Sequence, residues 1–329
     1  MTSAEKQDRR VLIGLGVGIA LFPALAMHVP PIRHYVDIMI FVGIFSLVNI
    51  GLSLLMGYAG QVSLGQAAFF GLGAYASAIL TGKFGWSPWA ALPAGMVLTG
   101  IVALAVGVPS LKLKGHYLAM ATLGFGVILF VVFNEEVALT GGPSGFADIP
   151  GIGVGTWEID TPLKYYYFVW VLVLAVLLFS LNIIHSRVGR ALRSIHGSET
   201  AANAMGVPTS LYKTRIFVLS AVYASVAGSL FVHHLRFVSP QPFDFLASVK
   251  FVVMAVIGGL ASIWGAIFGA GSTRILSDEL LLRFGEWDVV IYGAILMLIM
   301  IFMPEGLFVR LRDVFGRLRL RYSQRKAES

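Results

Sequence analysis

The chain has 329 residues, 57% hydrophobic and only 12% charged, with a net charge of +7. Its mean hydropathy is +0.82 and its pI about 9.7, whereas a soluble domain has about a quarter charged residues and under half apolar ones. The composition is that of a multi-span α-helical membrane protein, and it excludes cytosolic metabolism and nucleic-acid readout as first readings.

In chain order, the first apolar run covers residues 11–29. Two readings fit it. The basic start, the apolar run and Ala24-Leu25-Ala26 suit a cleaved signal peptide over residues 1–26; the alternative is a first transmembrane helix. A run of 19 residues exceeds the usual signal-peptide core of about 7–15, which favours the helix. Further runs follow at 36–56, 62–80, 88–110, 116–133, 163–185, 214–235, 245–276 and 288–303. A span needs about 20 residues, so 245–276 is too long for one helix and short for two. Gly258-Gly259 interrupts it and is read as a break between two short membrane segments.

The basic residues support that break. Three Lys and Arg lie in the N-terminal tail, two in 111–116, five in 186–215 and seven in the C-terminal tail, seventeen of the 24 in all. The positive-inside rule places these four regions in the cytoplasm. Only with 245–276 as two segments do the 186–215 loop and the tail share a side. The prediction is all-α: a polytopic protein of about ten transmembrane or half-membrane helices with both termini cytoplasmic. Eleven of the 17 acidic residues then lie outside, and the basic pI is mostly a topology signal.

No Asp, Glu, Lys or Arg is expected at the middle of a span. Proton-driven carriers and voltage sensors usually place such groups in the bundle interior, so the pattern argues against them. A membrane-embedded hydrolase is disfavoured by the lack of a carboxylate pair or metal cluster. The chain has no cysteine, hence no disulfide, thiolate nucleophile or Cys-ligated metal. It has no G-x-x-x-x-G-K-[ST] loop to bind ATP; were transport driven by ATP, another chain would hydrolyse it.

Three motifs carry information. In Gly57-Tyr58-Ala59-Gly60-Gln61-Val62-Ser63-Leu64-Gly65-Gln66, Gly57 and Gly60 break the helix, and Gln61, Ser63 and Gln66 offer neutral hydrogen-bonding groups. This is either a broken helix beside a solute path or a tight turn before a small-residue packing helix. The second, Gly258-Gly259-Leu260-Ala261-Ser262-Ile263-Trp264-Gly265, looks similar and also falls on the cytoplasmic side. The third is the cytoplasmic segment from Ser186 to Val207, read as two short helices. Arg190 and Arg193 alternate with Leu192 and Ile195 on the first, and Gly197 ends it. Ser198 N-caps the second, Glu199 sits at its positive end, and Gly206 stops it before Pro208. Such a pair suits docking into another protein's groove; alternatively it is a basic helix lying on anionic membrane lipid.

These motifs, with Gly115-His116-Tyr117-Leu118-Ala119-Met120-Ala121-Thr122-Leu123, Thr140-Gly141-Gly142-Pro143-Ser144-Gly145 and Met303-Pro304-Glu305-Gly306-Leu307, resemble the LivM-type permease of branched-chain amino acid ABC importers. The resemblance covers nearly the whole chain. It implies a single transmembrane permease domain over 1–308, with an external loop at 134–163, a coupling loop at 186–213, and a basic cytoplasmic tail at 309–329. It implies a heterodimer with a LivH-type permease, two ABC ATPase subunits that bind ATP and Mg, a substrate-binding protein outside, no cofactor in this chain and no nucleic acid. Around Glu199-Thr200-Ala201-Ala202 the chain looks like the family's ATPase-docking element, which makes Arg190, Arg193, Glu199, Ala202 and Gly206 the expected coupling residues. The chain departs from the family pattern at Ser194-Ile195-His196-Gly197-Ser198, where a more charged stretch is usual, so His196 is not carried over. Gln61, Ser63, Gln66, Tyr117 and Thr122 are expected near the substrate path, and His116 at the inner end of its span. The expected activity is inward transport by alternating access in the inner membrane, not catalysis. The same machine carrying urea or short-chain amides, and a lone ion-coupled carrier, are the rival readings.

Overall fold

The computed structural model describes residues 3–28, 34–113, 115–154, 157–159 and 161–277, and positions 293–294, 297, 301, 306, 308 and 310. Apart from those positions, the expected span 288–303 and tail 309–329 lie outside the described residues.

Nine of the expected membrane segments are present as helices: α1 (Ser3–His28), α2 (His34–Leu52), α3 (Gln66–Gly82), α4 (Pro88–Ser110), α5 (His116–Glu135), and, after the single turn α6 (Val137–Thr140), α7 (Pro162–His185), α10 (Thr209–Leu235), α11 (Phe245–Gly258) and α12 (Ile263–Ile275). Two short helices, α8 (Arg187–Gly197) and α9 (Glu199–Ala204), lie between α7 and α10. In hydrocarbon every backbone polar group must be satisfied within the segment, which is why long apolar runs become helices there. Among the described residues five helices are long and apolar enough to span, while α11 and α12 form a pair bent by 119°.

The core lies around α2 and α10, which are mostly enclosed; α4 and α5 leave most of their surface uncovered. α10 packs on α2, α3 and α4, and α2 also packs on α7 and α12. Burying apolar area gains little where the solvent is lipid, so close approach and interhelical hydrogen bonds decide the packing. The α3–α10 contact shows both. A Cβ at Gly73 would overlap the backbone of Ser225, and one at Gly228 would overlap the Phe70 carbonyl. Nearby, Thr99 Oγ1 donates to Ser225 Oγ at 3.0 Å and Ser229 Oγ to Ser77 Oγ at 2.8 Å.

Two features differ from the sequence reading. Lys250 stands six residues into the 14-residue α11, so the expectation of no Asp, Glu, Lys or Arg at the middle of a span is not met by this short segment. α11 is short enough for a lysine near its start to remain exposed. The 134–163 connection is also more than a solvated loop. Strand β1 (Phe146–Ala147) pairs with β4 (Phe237–Val238), and β2 (Gly153–Val154) with β3 (Trp157–Glu158). His233 Nδ1 lies 2.7 Å from the Pro150 carbonyl, and Trp89 Nε1 donates to Gly153 O at 2.9 Å. Among its acids, Glu135, Glu136 and Asp148 remain exposed.

Candidate functional site

The first break begins where α2 ends. The helix continues beyond Leu52 as a π-helix, Ser53–Tyr58, and the chain then runs irregularly from 59 to 65 before α3 starts at Gln66. Gly60 adopts φ +66°, a conformation that only glycine takes readily. Gln61 folds back on the turn, its Nε2 donating to Ala59 O at 3.1 Å. Ser63 is buried, and its Oγ lies 3.4 Å from the Gly65 amide as a weak acceptor. Gln66 is fully buried: Nε2 donates to Ser220 Oγ at 2.9 Å, while Oε1 has no partner. Thr122 Oγ1 on α5 accepts from Leu64 N and donates to Ala119 O, both at 3.0 Å. Ser63, Gln66 and Thr122 therefore meet at the break. Tyr117 does not join them; it is 71% exposed on α5 and faces away from the bundle. The broken segment is followed by a tightly packed helix.

The second break is a hairpin. Gly259 sits at φ +96°, and Ser262 N-caps α12 by accepting from Gly265 N at 3.2 Å. Gly258 and Gly265 lie so close that a Cβ on either would overlap the other's backbone. The two breaks touch: a Cβ on Gly57 would overlap the Leu260 carbonyl. Gly306 closes the same cluster, because its Cβ would overlap Gly259. Asp8 of α1 fastens this end of the molecule. Its Oδ2 lies 2.9 Å from His185 Nε2 and its Oδ1 accepts from Trp264 Nε1 at 3.0 Å. The start of α1, the end of α7, the α11–α12 turn and Gly306 therefore share one end of the bundle.

The α8–α9 pair lies at that end. Ser186 caps α8 by accepting from Val188 N at 3.0 Å, and Ser198 caps α9 by accepting from Ala201 N at 3.3 Å. Gly206, at φ +81°, ends the second helix, as the sequence suggests. Of the expected coupling residues, Arg190, Arg193 and Gly206 are exposed, and Arg193 Nη2 also donates to Ile184 O at 3.1 Å. Glu199 and Ala202 turn inward. Ala202 is 4% exposed, and Glu199 Oε1 accepts from Lys213 Nζ at 2.9 Å. The side chain of Lys213 is only 3% exposed. Sequence reasoning missed Lys213 as this partner, and also Ser220 as the partner of Gln66, because both pairings cross between elements. His196, set aside on sequence grounds, packs against the first break: a Cβ on Gly60 would lie 3.4 Å from its Cγ. A cavity of about 180 Å³ marks the junction, lined by Gly60, Gln61, Gly115, His196, Glu199 and Lys213. Among the described residues no cluster of three His, Asp or Glu is placed to hold a metal ion.

Residues 34–301 match the family model described as the permease component of branched-chain amino acid transport systems. The chain is 31% identical over 319 residues to the high-affinity branched-chain amino acid transport permease LivM of Salmonella typhimurium, covering 90% of this chain and 74% of that one. The Escherichia coli LivM matches with the same identity and coverage. The LivH permease of Salmonella typhimurium is 26% identical over 289 residues, 81% of this chain and 91% of its own.

Proposed function

Since the chain belongs to the permease components of branched-chain amino acid transport systems, we propose that it is the multi-pass membrane subunit of an ATP-driven importer that carries branched-chain amino acids inward. It pairs with a LivH-type permease in the inner membrane, and two ATPase subunits that bind ATP and Mg dock beneath. A binding protein outside delivers the solute. The end of the bundle bearing Asp8, α8, α9 and Gly306 faces the cytoplasm. The carrying observation is the junction itself, where the docking helices, the first break and the hairpin turn are in contact.

The geometry supplies a route for the stroke. Arg190, Arg193 and the face around Gly206 bear on the ATPase. A displacement of α9 is passed to α10 through the Glu199–Lys213 pair, 2.9 Å long. Two turns further along α10, Ser220 holds Gln66 at the start of α3. His196 bears directly on Gly60. Movement of α8 and α9 therefore re-packs the 59–65 segment against Thr122 and opens the path past Ser63 and Gln66. The neutral groups there pass a zwitterion without holding it tightly.

The test is uptake by the complete complex in proteoliposomes, with binding protein outside and ATP within. Labelled leucine, isoleucine and valine should accumulate only with hydrolysable ATP. Accumulation of urea or acetamide instead would replace the cargo, and accumulation without ATPase subunits would overturn the assignment.

A further inference from the structure

At the end of the bundle opposite α8 and α9, a cavity of about 320 Å³ lies between the hairpin and the central helices. That volume is near the lower limit for small-molecule sites, about 300–1,000 Å³. One wall is aromatic. Phe251 meets Phe45 at 5.7 Å and Phe70 at 5.5 Å between centroids, and Phe70 meets Phe231 at 5.3 Å. These tilted and edge-on contacts hold the rings in place and give a rigid apolar surface.

The other wall is charged. Asp244 caps α11, its Oδ1 accepting from Ala247 N at 2.7 Å, and also lines the cavity. Lys250 lines it from the same helix. Unlike His185 with Asp8 and Lys213 with Glu199, Asp244 and Lys250 are not joined to each other. Thr273 supplies a third group. It is 3% exposed, lines the cavity, and its hydroxyl has no hydrogen-bond partner. Buried hydroxyls are ordinarily bonded, so one without a partner in a residue of the cavity wall points to a ligand. Arg274 adds positive charge to this wall while its guanidinium packs over Phe41, 4.6 Å from the ring centroid.

We propose that this cavity is a receiving site for an aliphatic α-amino acid in its zwitterionic form. The α-carboxylate meets Lys250 and the Thr273 hydroxyl, the α-ammonium meets Asp244, and the branched side chain lies on the phenylalanine wall. The inference rests on the importer reading and sharpens it. A site with both anionic and cationic groups favours an amino acid over urea or a simple amide, which lack both charges.

The experiment uses the full complex in nanodiscs with L-photo-leucine, a diazirine analogue of leucine, and maps the cross-links by mass spectrometry. Labelling should fall on α11 and on the α2, α3 and α10 segments bearing Phe45, Phe70 and Phe231. Leucine should compete and isovaleramide should not. Lys250→Met should lower the labelling about tenfold, the loss expected for one charge-assisted hydrogen bond, while Lys250→Arg retains it. Thr273→Val provides a second variant should Lys250→Met not assemble, and it too should weaken labelling. Labelling confined to other segments, equal competition by isovaleramide, or unchanged labelling in assembled variants would overturn the proposal. ATP-driven leucine uptake by a complex whose cavity is not labelled removes the site and leaves the importer reading intact. Cavity labelling in a complex without ATP-driven uptake does the reverse.

Discussion

Lys213 carries a charge into a place where its side chain is 3% exposed, and Glu199 meets it at 2.9 Å. Removing one member of such a pair leaves an uncompensated buried charge, which costs about 3–5 kcal/mol. Glu199→Gln should therefore lower the thermal stability of the purified complex substantially, and Lys213→Met with Glu199→Gln should recover much of the loss. Calorimetry of both single variants and the double variant measures the coupling; additive losses would mean that the pair does not act as a unit. The chemistry at Ser198 and Gly206 was legible in the sequence because capping and helix stopping are local, settled within about four residues. The inward turn of Glu199 was not, because its partner lies fourteen residues on, across the turn at Pro208. Tyr117 stands apart from the break on the exposed face of α5, and only packing decides which face of that helix is covered.

The glycines in the two breaks act through close approach. Gly57→Val should displace the hairpin, since even a Cβ would overlap the Leu260 carbonyl. The expected outcome is a collapse in the yield of monodisperse complex by size-exclusion chromatography. Gly124→Ala in α5 should leave that yield unchanged, because a Cβ there meets nothing within 4 Å. A Gly57→Val complex recovered in normal yield would mean that the breaks do not need their contact. The helices were readable from apolar length, and the interruption at Gly258-Gly259 from the length of its run, its glycines and the distribution of Lys and Arg. The π-helix that continues α2 and the short strands β1–β4 were not. A π-turn depends on how α2 meets its neighbours, and two-residue strands carry too few residues for an alternation to show.

For the molecule as a whole, side-chain contacts place Asp8, His185 and Trp264 together, and a close backbone approach seats Gly306 against Gly259. With the coupling end in the cytoplasm, reporters fused after Ser198 and within the 309–329 tail should both read cytoplasmic. Opposite readings would end the ten-segment topology. Counting Lys and Arg put the N-terminal tail and the 186–215 segment on one side, and the Asp8–His185 contact brings those two regions together. The count did not anticipate that the breaks and the docking helices converge, since no linear pattern encodes which turns touch. The hairpin has a consequence for how the protein is made. Its legs have 14 and 13 residues, about 20 Å each at 1.5 Å per residue, against roughly 30 Å of hydrocarbon. Neither leg alone reaches across the hydrocarbon, so the two are expected to enter the bilayer as one unit, against α2 and α3, the helices on which they pack.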